Sequence, residues 1–501
     1  MRPAVIHAGR SMTGRPARLR PLQPLSLLLA AVLTWTTAGC ATPSNRYHLV
    51  EESLRAGDPL RGAQVLEAAA HEYGSESQVQ YRMDRGMLLH LAGQYEASNA
   101  LLEQADDEIE KLYTRRVRTE ATAFLTNDSK LPYEGDPYEQ TLLNVVKALN
   151  YAALGKWNDA LVEARRLDHR LNVLRDRTTD KEAYRDDAFG RYFSGVLYEA
   201  AGDANNAYIA YRHAYEDYRD TASWARTPLP PQLRADLLRL SDALHFADEH
   251  EEYKKQFGEI TWRPQDELRS LGQIVVVAYN GRAPRKEDFF VDVPVSMEAL
   301  QLVLFTKLAG HNTPNTREKR AVESTLYGLN GRVVRVALPS LVPQKSQVAY
   351  EDLQWTGTTG AFAAKTELAD NITAMADKSL ASRIKGITVK AVARAISKFG
   401  LAEGVGRGAQ AAAGHDAGPL VGLVVGGLAK AIAVASEEAD KRLWQTLPDE
   451  IQLGRMWLPA GDYEMKIQPV GRDGRLLGLP VKRIMHVEAG RTQFVVHRSV
   501  Q

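Results

Sequence analysis

The chain has 501 residues, 44% of them hydrophobic and 25% charged, ordinary globular values that leave room for two or three domains with real cores. Its formal net charge is +1, so no strongly basic face is implied and nucleic acid is excluded as an expected partner. A single cysteine, Cys40, excludes an internal disulfide.

Residues 1–39 hold five arginines (Arg2, Arg10, Arg15, Arg18 and Arg20) and no acid. The apolar run PLSLLLAAVLTW fills residues 24–35, and Thr37, Ala38, Gly39 and Cys40 follow. A basic start, an apolar core and small residues before a cut form a secretory signal. The run is too short for a permanent span, which needs about 20 residues. The box resembles that of bacterial lipoproteins, with Thr37 where a leucine is usual. The resemblance implies cleavage before Cys40 and acylation of its sulfur and amine, which is enough lipid for stable membrane anchoring. Cleavage removes five arginines and takes the net charge from +1 to −4. Ala41 and Thr42 follow the cysteine in place of an aspartate, and by resemblance to enterobacterial sorting this implies the outer membrane, facing the periplasm. Translation from Met12 instead of Met1 leaves the signal complete.

Residues 40–262 carry Ala, Leu, Tyr, Glu and Arg at helical spacing. One pattern recurs there. It reads Gly86-x-x-Leu89-x-x-x-Gly93-x-Tyr95-x-x-Ser98, then Ala148-x-x-Tyr151-x-x-x-Gly155-x-Trp157-x-x-Ala160, then Gly195-x-x-Tyr198-x-x-x-Gly202-x-Ala204-x-x-Ala207. A fainter copy surrounds Gly57 and Gly62. The first small residue (Gly86, Ala148, Gly195) admits a second helix. The glycine (Gly93, Gly155, Gly202) ends the first helix in a left-handed turn. The last small residue (Ser98, Ala160, Ala207) meets the first across the crossing. The pattern resembles the tetratricopeptide repeat, a helix-turn-helix unit that stacks into a groove lined by its first helices and suited to a helix or an extended peptide. A further helical pair over residues 232–257, ending in a very polar helix, is expected to cap the stack.

From residue 263 the pattern changes. Residues 274–279, reading IVVVAY and followed by Asn280-Gly281, predict a buried strand and a turn. Further strands are expected at 289–295, 333–338 and 348–355. A helical segment is expected at 363–444, within which Gly414, Gly418, Gly422 and Gly426 fall four apart in an apolar run. On a helix these glycines form one smooth stripe, read here as a tightly packed protein contact in preference to a membrane-spanning face. Strands return over 445–501. The phrase Leu458-Pro-Ala-Gly-Asp-Tyr463 resembles the start of small β-sandwich modules. The expected fold is therefore α+β: an all-α tetratricopeptide-like domain at 40–262, β-rich segments at 263–362 and 445–501, and a Gly/Ala-rich helical region between them.

No catalytic constellation emerges. His245 and His250 are five apart, on different faces of a helix, and there is no zinc-protease pattern, serine elbow or phosphate loop. Acidic pairs such as Asp106-Asp107 and Asp186-Asp187 read as solvated helix surface. No cofactor and no metal is expected. The run from Asp440 to Arg455, with Leu458 to Gly461, resembles uncharacterised repeat-bearing lipoproteins of proteobacteria, a likeness that implies architecture and location but no activity. The sequence thus points to a non-enzymatic, lipid-anchored scaffold. It would bind another envelope protein through the repeat groove and the membrane through Cys40. The alternatives are an accessory part of an envelope secretion or surface-assembly machine, or an activator of a cell-wall enzyme.

Overall fold

The same turn joins five pairs of helices. It links α1 (Ser44–Arg55) to α2 (Pro59–Ala68) through Gly57, and α3 (Gln78–Leu91) to α4 (Tyr95–Ala123) through Gly93. It recurs between α5 (Pro137–Ala153) and α6 (Trp157–Arg177) at Gly155, and between α7 (Ala188–Ala200) and α8 (Ala204–Ala225) at Gly202. The fifth copy joins α9 (Pro231–Ala243) to α10 (Ala247–Phe257), with His245 at the linking position. All five linking residues have φ between +61° and +83°. In each turn the next N–H reaches five residues back, as from Gln94 to the Leu89 carbonyl and from Phe246 to that of Ser241, both at 2.9 Å. This double closure satisfies carbonyls that the helix end leaves free. Asp58 and Asp203 then cap the second helices by accepting the N–H groups of Arg61 and Asn206 at 3.0 and 3.1 Å.

The computed structural model describes residues 44–123, 128–177, 187–294, 333–412 and 438–501, a mixture of helix and sheet. Residues from Arg46 onward make one compact unit. Within it, β1 (Gly272–Asn280) is buried along its whole length. One of its faces, with Val275, Val277 and Tyr279, joins the core of the helical pairs. The other, with Ile274 and Val276, meets a second sheet. This double burial is what a continuous Val/Ile run encodes.

The strands after β1 are β2 (Arg285–Pro294), β3 (Val333–Val342), β4 (Val348–Gly357), β5 (Gly360–Lys365) and β6 (Glu367–Asn371). Those nearer the C-terminus are β7 (Glu450–Leu458), β8 (Gly461–Gly471), β9 (Val481–Val487) and β10 (Thr492–Ser499). The first sheet runs β10-β1-β7-β6, with β1 and β10 parallel and the other pairs antiparallel. The second runs β5-β4-β8-β9 and is antiparallel throughout. Leu353 and Trp355 of β4 and Met465 and Ile467 of β8 pack with Ile274, Val276, Leu458 and Val495 of the first sheet. β2 and β3 form a separate two-stranded ribbon. The two β-rich stretches of sequence are therefore interleaved, since each sheet takes strands from both.

The helix expected from residue 363 begins only at Ile372, where α11 (Ile372–Ala412) starts after strands β5 and β6. Gly357 and Gly360 close a hairpin that pairs residues 361–365 with β4, and sheet pairing overrides the helix preference of the alanines there. Residues 438–449 are not helical either; they have no regular structure as far as Trp444 and then turn. The Gly414, Gly418, Gly422 and Gly426 stripe and Cys40 lie outside the described residues.

Candidate functional site

The first helices of the pairs turn one face inward, and the chain's own segment 438–449 lies on that face. In α3, Gln80 and Asp84 stand one helical turn apart amid Val79, Met83 and Met87, all buried. In α5, Glu139 sits in the first turn, fully buried. These three polar side chains read the segment's backbone. Gln80 Nε2 donates to the Leu443 carbonyl at 3.0 Å. The Trp444 N–H donates to Glu139 Oε1 at 2.7 Å. The Thr446 N–H and hydroxyl donate to Asp84 Oδ1 at 2.9 and 3.1 Å. Leu443, Trp444 and Leu447 are buried in the same core as the helices and β1.

Ahead of these residues, Arg442 fixes the register. Its guanidinium donates to the carbonyls of Glu76, Leu131 and Asp128 at 2.8 to 2.9 Å, and it stacks 5.2 Å from the centre of the Tyr133 ring. Lys286 of β2 donates to the Arg442 carbonyl at 3.0 Å and pairs with Asp136, the N-cap of α5, at 3.1 Å. Beyond them, Ala283 N–H donates to the Leu447 carbonyl at 2.9 Å. Asp449 accepts from the Ser346 N–H at 2.8 Å and from Lys345 at 3.0 Å. The segment is thus held largely at its main-chain groups, as a bound peptide is held.

The electrostatics of this face follow from burial. Burial pushes the Asp84 carboxyl up to about 8, against the hydrogen bonds from Thr446 that favour its charged form. Glu139 is pushed up to about 7 by burial and by the charge of Asp136. Its two oxygens accept from the Tyr133 and Tyr138 hydroxyls and the Asp136 and Trp444 N–H groups, so neither is left unbonded. His90, lowered to about 4 by burial, is neutral at pH 7. It lies 2.6 Å from Asn150 Oδ1 on one side and 3.3 Å from the Tyr279 hydroxyl on the other. The amide oxygen can only accept, so Nδ1 carries the proton and Nε2 takes the tyrosine hydrogen. Asn150 Nδ2 continues the chain to Ser98, which donates to the Gly86 carbonyl at 2.7 Å.

Gly86 and Ser98 therefore meet at the crossing of α3 and α4, and a side-chain carbon at Gly86 would come within 2.7 Å of Leu102. At Gly195 it would clash with the edge of the Tyr211 ring. Ala148, Ala160 and Ala207 are buried, and Gly93, Gly155 and Gly202 occupy the left-handed turns. Trp157 lies over Phe494 of β10, with ring centres 6.3 Å apart. The sequence reading missed Gln80, Asp84, Glu139 and Arg442. Polar residues at inward positions of α3 were the available signal, but they resemble ordinary helix surface until the apolar neighbours are placed.

A second buried network ties the last pairs to the first sheet. Arg455 of β7 donates to Asp236, and to Glu199 at 2.9 Å; Arg239 reaches Glu199 at 2.8 Å and Asp236 at 2.9 Å. Burial raises the Glu199 carboxyl, but the two guanidinium groups outweigh it and hold it at about 2. Among the described residues no three His, Cys, Asp or Glu side chains gather as a metal site. No helix among them is long and apolar enough to cross a membrane. No protein-family model matches this chain, and no curated protein matches it in sequence.

Proposed function

We propose that this chain is a lipid-anchored, non-enzymatic scaffold of the bacterial cell envelope. In this reading Cys40 is acylated and holds the protein at the outer membrane, facing the periplasm. The helical pairs are tetratricopeptide-like units, and the two facing sheets form a small β-sandwich packed on their inner side. The observation that carries the scaffold reading is the grip of Gln80, Asp84 and Glu139 on the main chain of residues 443–446. A face whose polar side chains hold another segment's main chain in this way is an interaction face, and here the chain's own segment occupies it. An envelope partner using the same face would present a turn of similar chemistry: an arginine, two large apolar residues and, one residue further on, a hydroxyl residue.

The test is binding in trans. The Trp444→Ala variant of the full chain opens a hole in the face, at a cost of about 3–5 kcal/mol in stability. A fluorescent peptide spanning residues 438–449 is expected to bind this variant and not the parent, measured by anisotropy. A variant with unchanged circular dichroism that fails to bind the peptide would contradict the interaction-face reading.

A further inference from the structure

Among the large apolar side chains exposed on the described residues, the three most exposed are Leu479 at 89%, Ile484 at 79% and Leu476 at 67%. All three fall within nine residues of one another, on the loop between β8 and β9 and on β9 itself. The register separates Ile484 from the others, since Leu476 bridges Val470 and Ile484 pairs with Glu464, six residues apart along β8. Scattered apolar residues on a surface need no explanation, but two of the most exposed ones on a single loop, Leu476 and Leu479, mark a contact. The loop and its flank carry Arg472, Arg475 and Lys482, with Asp473 as the one acid of residues 472–482. These cations also reach carboxylates: Arg472 to Glu450, Arg475 to Asp473 and Lys482 to Glu464. Arg483 turns away and donates to the Val496 carbonyl of β10 at 2.9 Å.

The position of the loop says what covers it. Arg472 N–H donates to the Gln347 carbonyl at 3.3 Å, and Gln347 N–H to that of Gln501 at 3.2 Å. The Gln501 side chain lies against Gly478 within the loop. Its neighbour Val500 packs into the cluster built by Tyr47, Val50 and Leu54 of α1. The loop therefore sits at the end of the molecule where the described chain begins. Tyr47 is seven residues after Cys40, a reach of at most about 25 Å for extended chain. A lipid on Cys40 would hold Tyr47 within that reach of the bilayer.

We infer that the β8–β9 loop is a membrane-contact surface, in which Leu476 and Leu479 enter the lipid interface and Arg472, Arg475 and Lys482 meet its phosphates. The inference rests on the reading of Cys40 as the lipid anchor. Such a contact would fix the orientation of the tethered protein, which a flexible lipid link alone leaves free.

The test uses the full-length acylated protein in vesicles of phosphatidylethanolamine and phosphatidylglycerol. A new cysteine for an environment-sensitive fluorophore is placed at the loop by Leu479→Cys, or as a control in α10 by Glu251→Cys, both on exposed side chains. The label at 479 is expected to lose its fluorescence to a quencher carried on the lipid chains, and the label at 251 to keep it. Equal quenching at the two positions, in protein whose intact mass shows Cys40 acylated, would overturn the inference and leave the anchor standing. A 479 label shielded from an aqueous quencher but untouched by the lipid-borne one would mean that a protein covers the loop, which also overturns it. An unmodified Cys40 would overturn the anchor reading and this inference with it.

Discussion

His245 shows how one residue can fill a place that backbone geometry reserves for glycine. It adopts φ +61° on an exposed turn, where a β-carbon crowds the following carbonyl. The four equivalent positions are glycine, so the His245→Gly variant should be more stable, by about 0.5–1 kcal/mol after the entropy of glycine in the unfolded chain is counted. An unchanged or lowered melting temperature would contradict this. Asp84 offers a second test at the same scale. Its folded pKa of about 8 lies above its ordinary value, so the folded state holds the proton more tightly than the unfolded one. Its contribution to stability is fully present below about pH 4 and is lost as pH rises through 8. The Asp84→Asn variant keeps an oxygen to accept the Thr446 N–H but cannot ionise. Its melting temperature relative to the parent should therefore climb between pH 5 and pH 8; a constant difference would show that Asp84 does not change protonation in that window.

The helical hairpin is the element most legible in the sequence, because its constraints are local. Gly93, Gly155 and Gly202 mark a turn with one allowed backbone shape, and Gly86 and Ser98 mark a crossing too tight for larger residues. Local rules could not show that His245 makes the same turn, since its side chain gives no such signal. They also placed residues 363–371 in a helix. Strand β6 exists only because β7, distant in sequence, offers an edge to pair with, and β5 because the turn at Gly357 and Gly360 folds it back onto β4. Segment 438–449 leaves the expected helix for a similar reason: its hydrogen-bond partners lie in α3 and α5, more than 300 residues earlier. At the crossing of α7 and α8, the Gly195→Ala exchange confounds two effects, a helix-propensity gain of about 1 kcal/mol against overlap with Tyr211. The Ala207→Leu variant is cleaner, because both residues are good helix formers and only the volume changes. Ala207 is fully buried, so overpacking should cost about 1–3 kcal/mol in chemical denaturation, and an unchanged midpoint would argue against a tight crossing there.

For the molecule as a whole, helices and sheets share one continuous core, in which Val275, Val277, Trp444 and Ile451 pack with side chains from α3 to α9. The Arg455 network and segment 438–449 cross the same boundary with buried polar contacts. Breaking either would leave groups desolvated without partners, so the two halves are expected to unfold together. This arrangement makes the inner helical face both the site of the proposed function and part of the folding core. Whether the segment is a fixed part of that core is the central claim, and amide hydrogen exchange measures it most directly. The N–H groups of Trp444 and Thr446 belong to no helix or strand, yet they should exchange as slowly as those of β1, because Glu139 and Asp84 hold them away from water. Exchange as fast as that of the exposed turn at residues 472–475 would contradict the account.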